Sequence, residues 1–223
     1  MLLRKCLLLF LFSLLLNPLP ALAQSLEEVA QQGLEAYRSG EYEAAAAAWQ
    51  QMIEIDPQNA DAYNNLGATL YQLGRPAEAV DAYRQALEIN GDSADTYNNL
   101  GTVLAFQENY EEAIEAYEQA IEIDPDLPEV YVNLGNLLPA EQAVAAYAKA
   151  IELNPNYVQA HNNLGTVLFE LERYEDAIVA YGRALEIEPD FQAAQENLAL
   201  AEAALEAREG EDEDSNDENT SSE

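Results

Sequence analysis

A glycine returns five times along the chain, at Gly33, Gly67, Gly101, Gly135 and Gly165, and each is followed by the same three signature residues. First comes an alanine (Ala45, Ala79, Ala113, Ala143, Ala177), then four positions later an aromatic (Trp49, Tyr83, Tyr117, Tyr147, Tyr181). Three positions after that stands Met52, Ala86, Ala120, Ala150 or Ala184. Four of the five copies are 34 residues long. A fixed period of that size means one supersecondary unit repeated in line, each unit covering its neighbour's apolar face. The chain is therefore an open, all-α solenoid and not a closed globule.

Within a unit, apolar and small residues fall at helical spacing in two blocks, as in Tyr97, Leu100, Gly101, Leu104 and then Ala113, Ile114, Tyr117, Ala120, Ile121. Each unit thus reads as a pair of amphipathic helices. Ser39-Gly40 and Gly74-Arg75-Pro76 mark turns between the helices of a pair, and Asp56-Pro57, Asp124-Pro125, Asn154-Pro155 and Glu188-Pro189 end the second helix of four units. Proline cannot continue a helix and disfavours helix in the residue before it. Asn90-Gly91 ends the second unit, which predicts a helix stop of different chemistry there. Small residues let the helix axes approach to about 8 to 10 Å, and the aromatic is expected to fill the gap between successive units.

The strings AYNNLGATL, TYNNLGTVL, VYVNLGNLL and AHNNLGTVL, each followed by an A-x-x-x-Y-x-x-A block, resemble tetratricopeptide repeats over residues 26 to 191. The units read as 26 to 59, 60 to 93, 94 to 127, 128 to 157 and 158 to 191. Residues 192 to 208 then resemble the solvating helix that closes such arrays. What the resemblance implies is a right-handed superhelix whose first helices line a concave groove.

In arrays of this family the residue before the unit's leucine tends to face the groove, and here it is Asn65, Asn99, Asn133 or Asn163. An amide both donates and accepts, so a row of amides at unit spacing suits the main chain of an extended peptide whatever its sequence. A similar row occurs in the repeat arm of the O-GlcNAc transferase, and the resemblance is to that arm alone. Asn64, Asn98 and Asn162 stand one position earlier, and Asp61, Asp95 and Glu129 lie near the starts of their first helices. If these face inward the groove is acidic and takes a neutral or basic segment, with Tyr37, Tyr71 and Phe169 as apolar or cation-π contacts. The first unit departs from the pattern, with Gln31-Gln32 in place of asparagine and leucine. The fourth is short by four residues between Gly135 and Ala143, about one helical turn, which reads as a harmless deletion or, alternatively, as a shortening of both helices that leaves a notch or hinge in the groove.

Residues 1 to 23 carry Arg4 and Lys5, an apolar run from Cys6 to Leu16, the breaker Asn17-Pro18-Leu19-Pro20 and the small-residue site Ala21-Leu22-Ala23. They read as a secretory signal cut before Gln24, with an apolar run shorter than the roughly 20 residues that span a bilayer. The expected location is an exported one: periplasm, lumen or exterior. Cleavage removes Cys6, the sole cysteine, and with it any disulfide, thiolate nucleophile or cysteine-based metal site.

The chain carries 42 acidic and 9 basic residues, a formal net charge of -33. Without a basic stripe it has no means of neutralising the phosphates of nucleic acid or of an anionic membrane surface. Its field favours basic partners. From Glu209 to Glu223 no apolar residue is available for burial, which predicts a disordered acidic tail. Oxygen-bearing side chains from Asp212 to Glu223 match calcium-loop spacing, but Asp217 stands where the loop needs glycine, so no metal site is assigned.

His161 takes the place held by Tyr63, Tyr97 and Tyr131 in other units, which makes it a packing residue. No phosphate loop, dinucleotide fingerprint or zinc motif is present. The sequence therefore predicts a monomeric, cofactor-free, non-catalytic scaffold for a protein or peptide, with a self-assembling structural array as the alternative.

Overall fold

The computed structural model describes residues 25–220, with side chains through Gly210, so the signal segment lies outside the described residues. These residues form eleven helices and no strand. They are α1 (Leu26–Arg38), α2 (Tyr42–Ile55), α3 (Ala60–Gln72), α4 (Pro76–Ile89), α5 (Ala94–Phe106) and α6 (Tyr110–Ile123). Then follow α7 (Pro128–Gly135), α8 (Ala140–Leu153), α9 (Val158–Glu170), α10 (Tyr174–Ile187) and α11 (Gln192–Thr220). Packing runs between helices that neighbour each other in the chain, which is the mark of an α-solenoid.

The glycine and aromatic signatures meet inside each unit. A Cβ added to Gly33 would lie 2.8 Å from Trp49, and at Gly67, Gly101, Gly135 and Gly165 it would strike Tyr83, Tyr117, Tyr147 and Tyr181 at 2.6 to 2.8 Å. The aromatic therefore lies on the glycine of its own unit; the expected gap between units is not its main seat. Trp49 alone among the five also donates into the next unit, from Nε1 to Thr69 Oγ1 at 3.1 Å.

Four of the five turns within pairs share one geometry, the fourth unit's being the exception. Gly40 and Gly74 have φ of 75° and 70°, and Glu108 and Glu172 take the same left-handed turn at 63° and 58°. In all four, a backbone N–H just beyond the turn reaches back five residues, as from Asn109 to the Leu104 carbonyl at 2.9 Å. That is a Schellman closure of the first helix. Four of the five second helices likewise end alike. Asp56, Asn90, Asp124 and Asn154 are extended, and each side-chain oxygen accepts from the backbone N–H two residues on, at 3.0 to 3.2 Å. Asn90-Gly91 is thus the same stop as Asp-Pro and not a different one, because the short side chain closes the turn whatever follows it.

The missing residues of the fourth unit fall entirely on its first helix. α7 has 8 residues where α5 and α9 have 13, while α8 keeps all 14 of a second helix. The second helix carries the aromatic that covers the glycine, Tyr147, so its loss of length would risk uncovering Gly135. At the C-terminus, α11 continues through Thr220, where the sequence suggests a disordered tail beyond residue 208. Burial of Ala194 and Ala201 nucleates that helix, and propagation from a formed turn costs little per residue.

Candidate functional site

Asn65, Asn99, Asn133 and Asn163 occupy equivalent places on α3, α5, α7 and α9, two residues before the glycine that seats the aromatic. Their amides are not a row of free groups. Asn99 Nδ2 donates to Asn64 Oδ1 at 3.2 Å, and Asn133 Nδ2 donates to Asn98 Oδ1 at 3.0 Å. Asn197 of α11 donates to Asn162 Oδ1 at 3.2 Å. Each bond spans 35 residues and ties one first helix to the first helix before it.

The chain of amides breaks where Val132 replaces the accepting asparagine. Asn163 turns instead to Asn136 Oδ1 at 3.1 Å, an oxygen that also accepts from the Tyr147 hydroxyl at 2.8 Å. Elsewhere that place belongs to Thr102 and Thr166, which accept from Tyr117 and Tyr181 at 3.3 Å and donate to the Asn98 and Asn162 carbonyls. Burial holds the hydroxyls of Tyr117, Tyr147 and Tyr181 above the usual phenol range. At the other end, Ala30 offers Asn65 no acceptor, and the Asn65 side chain has no hydrogen-bond partner among the described residues. An amide offers two donors and an oxygen with two lone pairs, so the bonded rungs also keep part of their capacity.

Two clefts along this face are lined by ladder asparagines. One of about 300 Å³ is lined by Leu34, Tyr37, Asn64, Asn65, Ala68 and Asn99. The other, of about 290 Å³, lies at the shortened unit between Asn136, Leu138, Tyr147, Asn163, Val167 and Glu170. This second cleft lies where the first helix of the fourth unit is short.

The three expected aromatics are each paired with another ring. Tyr37 meets Tyr42 edge-on at 5.4 Å, Tyr71 meets Phe106 of the next unit at 5.5 Å, and Phe169 leans on Tyr174 at 5.3 Å. Asp61 and Asp95 are exposed and Glu129 is half-buried, each one helical turn before a ladder asparagine. None of the three lines either ladder cleft; Asp95 borders a separate one with Ser93, Asp124 and Leu127. The carboxylate at a ladder cleft is Glu170, which sequence reasoning missed. Asn136, Asn197 and Phe106 were missed too. The ordinary spacing of 34 from Asn163 points to Asn197, and Phe106 sits one residue beyond the aromatic register.

Six cations are paired: Arg75 with Glu78, Arg84 with Glu112, Lys149 with Glu152, Arg173 with Asp176, Arg183 with Glu186, and Arg208 with Glu175. Among the described residues Arg38 is the one lysine or arginine outside an ion pair. His161 is buried with Nε2 2.9 Å from the Pro155 carbonyl, as the Tyr131 hydroxyl donates to Pro125 at 3.1 Å and Gln195 Nε2 to Pro189 at 2.7 Å. It is a loop-closing packing residue. Among the described residues no group of three or more His, Cys, Asp or Glu could hold a metal, and no helix is long and apolar enough to cross a membrane.

Three family models match, all of tetratricopeptide repeats: one over residues 58–126, one over 33–74 and 140–172, and one over 158–191. Together they span well over half of the chain, which belongs to the tetratricopeptide repeat family. Among solved structures, pilF of Pseudomonas aeruginosa is similar at 26% identity and a TM-score of 0.74, over 82% of this chain and 86% of that one. YrrB, described as a TPR protein with an unusual peptide-binding site, is 24% identical with a TM-score of 0.64, over 77% of this chain and 91% of its own. A MamA protein shares the fold at 23% identity and a TM-score of 0.65, over 74% and 92% of the two chains. No curated protein sequence matches the chain significantly.

Proposed function

We propose that the protein is a non-catalytic scaffold that binds an extended, neutral or basic segment of a partner along the face of its first helices. The observation that carries this reading is Asn65, a half-buried amide with no partner of its own beside Tyr37 in an open cleft. The remaining donors and acceptors of Asn99, Asn133 and Asn163 continue the same line toward the second cleft. Peptide binding in YrrB, which shares the fold, agrees with it. Export through the N-terminal signal, with a role in folding or assembly of exported proteins, belongs to the same proposal. N-terminal sequencing of the protein from fractionated cells is expected to begin at Gln24.

End-to-end self-assembly is the weaker alternative. Leu66, Leu100 and Leu134 are buried at a place where α1 carries exposed Gln32. Leu70, Leu104 and Leu168 are buried at a place where α11 carries exposed Glu202. A stacked copy would desolvate both polar groups, which supports a monomer.

The test is Asn65→Ala, which removes no bond within the protein. Peptides selected on the wild type from a random extended library are expected to bind the variant about three- to tenfold more weakly, the worth of one net hydrogen bond, at unchanged melting temperature. Equal affinity for every selected peptide would remove the reading.

A further inference from the structure

The fourth unit departs from the others in three ways that meet at one place: its first helix is five residues shorter than α5 or α9, Val132 interrupts the amide chain, and Asn136 replaces a threonine. The missing turn of α7 leaves the cleft of about 290 Å³. Its apolar lining comes from Leu138 and Ala140 on one side and Val167 of α9 on the other. The polar lining is the stripe Asn163, Thr166 and Glu170, spaced by three and four along α9 and so on one side of that helix, beside Val167.

The polar groups of this lining are unevenly engaged. Asn136 Oδ1 already accepts from two donors, Tyr147 and Asn163. The Thr166 hydroxyl both donates, to the Asn162 carbonyl, and accepts, from Tyr181. Glu170 is exposed at the cleft and has neither a hydrogen bond nor an ion pair among the described residues, and the nearest cation along the chain, Arg173, is held by Asp176. Its charge is felt at Tyr147 and Tyr181, after burial the next influences being their own hydrogen bonds. What the cleft lacks is therefore a cationic donor. A long aliphatic stem ending in such a donor would cover Leu138 and Val167 and bring its head to the carboxylate.

We infer that the notch between the fourth and fifth units is a specificity pocket for one arginine or lysine side chain of the bound segment, with Glu170 as its counter-ion. The inference rests on the groove-binding reading and fixes the register of the segment on it. A basic residue anchored here sets which stretch of chain runs toward Asn65.

The probes are octapeptides of alanine, serine and glycine in which a single arginine is moved through each position, with citrulline counterparts of the same shape and no charge. Against the wild-type protein, affinity is expected to peak at one arginine position. It should fall about two- to fivefold for the citrulline peptide and for Glu170→Gln, the scale of one ion pair to an exposed carboxylate. Glu118→Gln, the same charge change on α6, should leave the peak in place. An arginine preference that survives Glu170→Gln, or neutral peptides that bind with no arginine preference at all, would overturn the pocket and leave the groove reading intact. No binding by any octapeptide would overturn both.

Discussion

Asn133 donates its side-chain amide to Asn98 Oδ1 at 3.0 Å, joining the first helices of the third and fourth units. The bond sits beside the break at Val132, so it is the last rung of an unbroken run that begins with Asn99 on Asn64. In a solenoid each unit touches only its neighbours, and stability is close to a sum of unit and interface terms. A side-chain bond across a boundary therefore adds to the interface term and couples two units directly.

Asn98→Ala and Asn133→Ala are each expected to lower stability, and the double variant less than their sum. A coupling of about 0.5 to 1.5 kcal/mol is expected for a half-buried amide pair. Urea unfolding of the four proteins measures it. Additive losses would mean that the two side chains act independently.

Two glycine substitutions should have opposite signs. Gly101→Ala drives a Cβ to 2.7 Å from the Tyr117 ring, which cannot move without opening the pair, and should cost about 1 to 3 kcal/mol. Gly182→Ala meets nothing within 4 Å on α10 and should gain about 0.5 to 1 kcal/mol from helix propensity. Thermal melts of both separate the seat of the aromatic from a generic preference for small residues.

The repeat made the glycine and aromatic positions legible, because a contact inside a unit recurs with the unit. It did not say which aromatic lies on which glycine; the sheltering ring turned out to be the unit's own. The ladder positions were legible for the same reason, but their partners were not. A bond from Asn99 to Asn64 depends on how far successive units rotate, and a period carries no rotation. The fourth unit shows the limit most plainly. Four missing residues are countable in sequence, yet only the need to keep Tyr147 over Gly135 decides that α7 shortens and α8 does not. Glu170 was invisible because its importance comes from the cleft that this shortening leaves.

Glu108 and Glu172 hold a left-handed turn that Gly40 and Gly74 fill in other units. A side chain with a Cβ costs about 1 kcal/mol there relative to glycine. Glu108→Gly and Glu172→Gly should each raise stability by that order, and the pair should be additive because the turns lie in separate units. Urea midpoints that do not move would mean that the glutamates make compensating contacts.

Alkaline pH should unfold the protein through its buried phenols. Burial raises the hydroxyls of Tyr83, Tyr117, Tyr147 and Tyr181 above their ordinary value of 10.0. Below that value both folded and unfolded chains keep these protons, and the contribution to stability is complete. Above it the unfolded chain releases protons that the folded chain retains, so stability falls as pH rises from about 10 toward the folded values. Unfolding free energy followed from neutral pH upward should be level and then decline, with the tyrosinate absorbance of the buried rings appearing in step with loss of helix. Tyr117→Phe removes one titrating group and its bond to Thr102. It should lower stability at neutral pH and make the alkaline decline shallower. Tyrosinate formation in a chain that stays fully helical would show that these rings ionise in place and that the units open to water without separating.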